Sequence, residues 1–117
     1  MEFDFLRPLD NSIIEFVKSL TSQNLGSKVV LHSETDFPDL DKIQIAIIGV
    51  LENRVDSNAI AEVDLTSIRK ELYSVYPGNW QSSIADLGDI KAGEELSDTY
   101  CALKSVVASL IKKKIVP

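Results

Sequence analysis

Between Lys42 and Val50 the chain reads KIQIAIIGV, and from Ile45 to Ile48 its apolar residues run without a polar interruption. A strand with one face in water alternates apolar and polar residues, whereas a continuous run suits a strand covered on both faces. The segment therefore predicts a central parallel strand of an α/β sheet. Gly49, at its carboxyl end, lets the backbone turn or approach a ligand closely. Ligand crevices of open α/β sheets lie outside the carboxyl ends of the strands, which makes the following loop, LENRVDSNAIAE, the place to expect function.

The segments downstream continue the same architecture. Asp64 is placed to cap a crossover helix in which Leu65, Ile68, Leu72 and Val75 recur at helical spacing. PGNW breaks that helix, and Ile84 to Leu87 form a second short apolar strand ending in the acidic loop DLGD. Ser97 is the expected cap of the longest helix, with Tyr100, Leu103, Val107, Leu110 and Ile111 as its buried stripe and Cys101 and Ala102 flanking it. The closing LIKKKIVP then reads as the end of a helix followed by the first residues of a third strand, so the chain is expected to be the front part of a larger α/β enzyme. Lys112, Lys113 and Lys114 are well placed to face the negative end of the helix macrodipole. The spacing between strand starts fits right-handed βαβ units and a parallel sheet.

Upstream, NSIIEFVKSL predicts a helix with a capping box between Ser12 and Glu15 and an apolar face of Ile13, Ile14, Val17 and Leu20, with Gly26 as a stop. Val29 to Leu31 form an edge strand or extended arm, followed by His32, the single histidine of the chain, which is expected to be a surface or hydrogen-bonded residue rather than a ligand. The organisation is thus one domain over residues 1–117, with 1–41 a helical extension and edge strand and 42–117 a βαβα unit that begins a third strand.

Composition narrows the function. With 44% apolar and 26% charged residues the chain is an ordinary packed domain, and its net charge of −6 argues against a protein that neutralises nucleic-acid phosphates. Cys101 is the only cysteine, so no intrachain disulfide forms and a reducing, cytoplasmic setting is expected. MEFDFLRPLD lacks the positive charge of a secretory signal, and no apolar run approaches the roughly 18 residues of a membrane span. A phosphate-cradling loop would need several glycines after the first strand, where Gly49 stands alone. Nucleophilic catalysis would have to recruit His32, far along the chain from Cys101. Asp86 and Asp89 flank Gly88, where acids can hold a metal or an amine, but the favoured expectation is a turn in which Asp89 bonds nearby backbone N–H groups.

Taken in order, IAIIGVLENR, IRKELY, YPGNW, IADLGDI and DTYCALKSVVASLIKKKIVP resemble the N-terminal part of the ureohydrolase superfamily, the arginase, agmatinase and formimidoylglutamase group. The nearest resemblance is to the bacterial arginase/formimidoylglutamase-like branch, whose helical N-terminal extension is similar to LRPLDNSIIEFVKSL. The resemblance implies a three-layer α/β/α fold around a parallel sheet. It also implies two manganese ions in the full-length enzyme, which activate a bridging hydroxide against a guanidino or formimino carbon. The family's ligands lie in Gly-Gly-x-His-Asp, Asp-x-His-x-Asp and Asp-x-Asp segments. This chain contains none of them, so no cofactor is expected on it. Glu52, Asn53, Arg54 and Asn58 match the branch's pattern in the loop near the substrate mouth, while Asp64 and Leu65 replace the Gly-Pro or Ala-Pro pair that commonly opens the next helix.

Two expectations follow. In one, the chain is the N-terminal segment of a hydrolase of linear amidines, inactive without the remainder of the parent enzyme. In the other, it is a stand-alone non-catalytic α/β binding or assembly module whose unpaired sheet edge needs a partner, either another copy or another protein.

Overall fold

The computed structural model describes residues 2–54 and 64–117, and all structural statements concern these. The strands are β1 (Leu6–Arg7), β2 (Val29–Leu31), β3 (Ile45–Val50) and β4 (Ile84–Ile90), and the helices are α1 (Asn11–Lys18), α2 (Thr66–Tyr73) and α3 (Leu96–Lys112). β4 pairs with β3 in parallel along one edge. On its other edge it pairs in parallel with β2, from Val29 opposite Ile84 to Leu31 opposite Asp86, and then antiparallel with β1, Leu6 opposite Ile90. The chain is α/β as expected, but its sheet is mixed, because the first strand returns alongside the end of β4.

The centre of the sheet is β4, not the apolar run of β3. Every residue of β4 is buried, whereas β3 is half-buried over most of its length. Neighbour count decides this. β4 has strands on both edges, while the outer edge of β3 carries one parallel bridge, from Ile45 to Val116. Ile115 beside that bridge is buried, and Lys114 before it takes φ 64° to turn the chain off α3 onto the sheet.

Side chains leave β4 in alternation. Ala85, Leu87 and Ile90 pack with Ala102, Val106 and Leu110 of α3, while Ile84 packs with Ile13 of α1 and Tyr73 of α2. The sheet therefore lies between α1 and α2 on one face and α3 on the other. Strict alternation would put Ile90 opposite Leu87. A bulge prevents it: the register steps from Ile47 opposite Asp86 to Gly49 opposite Asp89, so β4 holds one extra residue. Gly88 absorbs it at φ 89°, where an added Cβ would also strike the Arg7 carbonyl.

Several local expectations shift. Asp10, not Ser12, caps α1, accepting from the Ser12 N–H at 2.9 Å, and the helix ends at Lys18, well before Gly26, which packs against Tyr73 instead. Asp64 does cap α2, accepting from the N–H groups of Thr66 at 3.0 Å and Ser67 at 3.2 Å. α3 opens two residues earlier than expected, with Glu95 and Asp98 forming a reciprocal capping box in place of Ser97. Its buried stripe is Thr99, Ala102, Val106 and Leu110, so Tyr100 and Ile111 face outward. Cys101 is exposed. Among the described residues no helix is long and apolar enough to cross a membrane.

Candidate functional site

The largest departure from the sequence-based expectation lies on α2. Its apolar residues Ile68 and Leu72 point outward, with Ile68 62% exposed, and Val75 just past the helix is exposed as well, while Arg69 is 5% exposed and Tyr73 is fully buried. Arg69 and Tyr73 are one turn apart and share a face. That face meets Asp86 and Asp89, which the bulge at Gly88 brings to the same side of β4. Arg69 donates through Nε to Asp86 at 2.8 Å, through Nη1 to Asp89 at 2.7 Å, and through Nη2 to Asp86 at 3.1 Å and the Gly88 carbonyl at 3.2 Å. The Tyr73 hydroxyl and the Gly88 N–H also donate to Asp86. The DLGD segment is thus strand, not turn, and its two acids clasp a buried guanidinium.

The electrostatics follow from burial. Removal from water pushes the Asp86 carboxyl above the usual carboxylate range, against the pull of Arg69. Burial also works against the Arg69 charge, but Asp86 and Asp89 more than offset it, so the guanidinium is held protonated more firmly than usual. Gly49 belongs to this cluster as well. An added Cβ would strike the Asp89 carboxylate, so the close approach that glycine permits here is to a side chain of the same protein.

The predicted substrate-side residues divide. Glu52 and Arg54 form an ion pair at 2.7 Å with side chains only 5% and 9% exposed. Arg54 also donates to the Gly93 and Glu94 carbonyls, each at 2.7 Å, and Thr99 donates to Glu52 at 2.7 Å. The pair ties the loop after β3 to the loop after β4 and the first turn of α3. Its hydrogen bonds are internal, and Arg54 holds the Glu52 carboxyl down at about 2. Asn53 is exposed on the same loop, and Asn58 lies outside the described residues. His32 is buried, where it donates from Nδ1 to the Leu87 carbonyl at 2.9 Å and stands edge-on to Phe37 at 4.8 Å. It is a hydrogen-bonded histidine, as expected.

A cleft of about 710 Å³ opens at the carboxyl ends of the parallel strands. Asp10 and Asp64 wall it at the starts of α1 and α2, Glu34 after β2, Leu51 after β3 and Asp89 near the end of β4, with Arg7 as its basic residue among those described. The Ser12 N–H holds Asp10 below the ordinary carboxylate range, and Ser67 does the same for Asp64, so both stay ionised as they cap their helices. Asp89 is already paired with Arg69, which leaves Asp10, Glu34 and Asp64 against Arg7, an acidic excess that suits the cleft to a small cation. The sequence offered no pattern for this grouping, because its acids come from four separated segments that only the fold brings together. Among the described residues no group of three or more His, Cys, Asp or Glu side chains is arranged to hold a metal ion, so the described residues do not fit a manganese pair. No family model, curated protein or solved structure matches the chain.

Proposed function

We propose that this chain is the N-terminal α/β portion of a ureohydrolase-like enzyme, a binuclear-manganese hydrolase cleaving C–N bonds of linear amidines of the arginine, agmatine or formimidoylglutamate type. The observation that supports this reading is the acidic cleft at the carboxyl ends of the strands, where open α/β folds bind ligands. An amidinium is flat, cationic and rich in N–H donors, and carboxylates are its natural acceptors. The cleft wall would orient the cationic end of the substrate, and the metal chemistry would belong to the remainder of the parent enzyme. The 117 residues alone would bind without turning over, in a cytoplasmic setting.

Titrating agmatine and arginine into the 15N-labelled chain is expected to shift the amide resonances of Asp10, Asp64, Thr66 and Asp89, with no urea released on adding manganese. Shifts confined to other surfaces would remove the cleft from the reading. Stoichiometric manganese binding with turnover would show that the chemistry resides in these residues.

One observation favours the second reading, a stand-alone non-catalytic module. The outward face of α2 carries Ile68 and Leu72, and Val75, Tyr76 and Trp80 are exposed just beyond it. Apolar surface of this kind marks interaction sites. A strictly monomeric state in sedimentation at high concentration would count against assembly with another copy.

A further inference from the structure

We infer that the cavity beside His32 is a binding site for a small neutral aromatic molecule with an O–H or N–H donor, held at the imidazole Nε2. The inference is independent of the hydrolase reading. His32 directly follows β2 and is 8% exposed. Its backbone is fixed from both sides, since its N–H donates to the Asp86 carbonyl at 3.0 Å and its carbonyl accepts from the Leu9 N–H at 2.9 Å. The ring is fixed as well. A carbonyl can only accept, so the 2.9 Å bond to Leu87 places a proton on Nδ1, and in the neutral ring Nε2 carries the lone pair. Nε2 has no partner among the described residues, and among them no fully buried side-chain nitrogen or oxygen is left unpaired. Nε2 therefore reaches open space. The space that His32 borders is a cavity of about 520 Å³, lined also by Phe3, Asp4, Leu6 and Phe37.

The chemistry of the occupant follows from the walls. Leu6, Phe3 and Phe37 belong to the apolar core on the α3 face of the sheet. The Phe3 and Phe37 rings lie 5.8 Å apart between centroids at a tilt of 33°, and Phe37 stands edge-on to His32 at 4.8 Å. A further flat ring gains offset and edge-to-face contacts against such a wall. A single water would satisfy Nε2 but occupies only about 30 Å³, and the apolar walls offer further waters nothing to bond. Charge is disfavoured in both signs. Asp4, exposed on the same cavity, repels an anion, and the apolar walls make the burial of a cation costly. What remains is an uncharged ring with one donor for the Nε2 lone pair, and phenol is the simplest such molecule.

The test titrates phenol, and anisole as the same ring without its donor, into the 15N-labelled protein. Phenol is expected to shift the amides of Phe3, Leu6, His32 and Phe37 with a Kd on the order of 1 mM, and to move the His32 Nε2 resonance while leaving Nδ1 in place. Anisole should bind about fivefold more weakly, the loss of one hydrogen bond. His32→Asn keeps a donor toward Leu87 and has no counterpart of Nε2, so it should hold phenol no better than anisole. His32→Gln, whose amide oxygen reaches the place of Nε2, should restore part of the preference. The comparison of phenol with anisole needs no variant and stands whether or not His32→Asn folds. Equal affinities for the two, shifts confined to other surfaces, or benzoate binding more tightly than phenol would each overturn the proposal. So would the absence of any shift up to the solubility of phenol, which would assign Nε2 to water.

Discussion

Arg69 shows how one residue can orient a helix. Its guanidinium is held by two carboxylates and a carbonyl, and taking away one partner of a buried ion pair leaves an uncompensated charge. Arg69→Met is expected to lower stability by about 3–5 kcal/mol, read from urea denaturation. Removing only the Tyr73 hydroxyl, in Tyr73→Phe, is expected to cost about 1–2 kcal/mol, because Asp86 keeps its other donors. Glu52 acts through pH. Its carboxyl is held at about 2 against an ordinary 4.5, so the folded state binds this proton less readily than the unfolded chain. The stabilisation is complete above the ordinary value and is lost as pH falls from 4.5 toward about 2. Urea midpoints across that window should fall less steeply with acidification in Glu52→Gln than in the parent protein.

At the scale of elements, the two longer-range helices teach opposite lessons. In α3 the expected stripe was displaced by about one position, and Leu110 belongs to both versions. In α2 the apolar stripe faces solvent and the polar face is buried, because two hydrogen-bonding side chains found acids on β4. The pair makes a direct comparison. Ile68→Ser and Leu72→Ser should each change stability by no more than about 0.5 kcal/mol, as exposed positions do. Val106→Ala should cost about 1.5–3 kcal/mol. Similar losses at all three positions would mean that the α2 face is covered.

Across the whole molecule, stability should be greatest at β4, which both apolar cores share and every strand of the sheet touches. Native-state hydrogen exchange is expected to find its slowest amides between Ile84 and Ile90, with the Ile48 and Val50 amides of β3 among the fast strand positions. The reverse order would mean that β3, the more apolar segment, is the true centre. The acidic cleft belongs to this scale too, since its walls come from the ends of the strands and the starts of two helices.

The α/β class, the strands at Ile45–Val50 and Val29–Leu31, the existence of each helix and the Asp64 cap were legible in the sequence, since each rests on local periodicity or on a side chain bonding its own neighbours. The caps of α1 and α3 were misplaced by only two residues among near neighbours, whereas the orientation of α2 and the DLGD loop failed because the partner was distant in the chain. A bulge at Gly88 turned two acids to one side, the acids drew Arg69 inward, and α2 rotated with it. The internal clasp of Glu52 and Arg54, the identity of the central strand and the acidic cleft were likewise decided by tertiary structure. Periodicity says which side chains share a face, but which face is buried depends on what the rest of the chain sets against it.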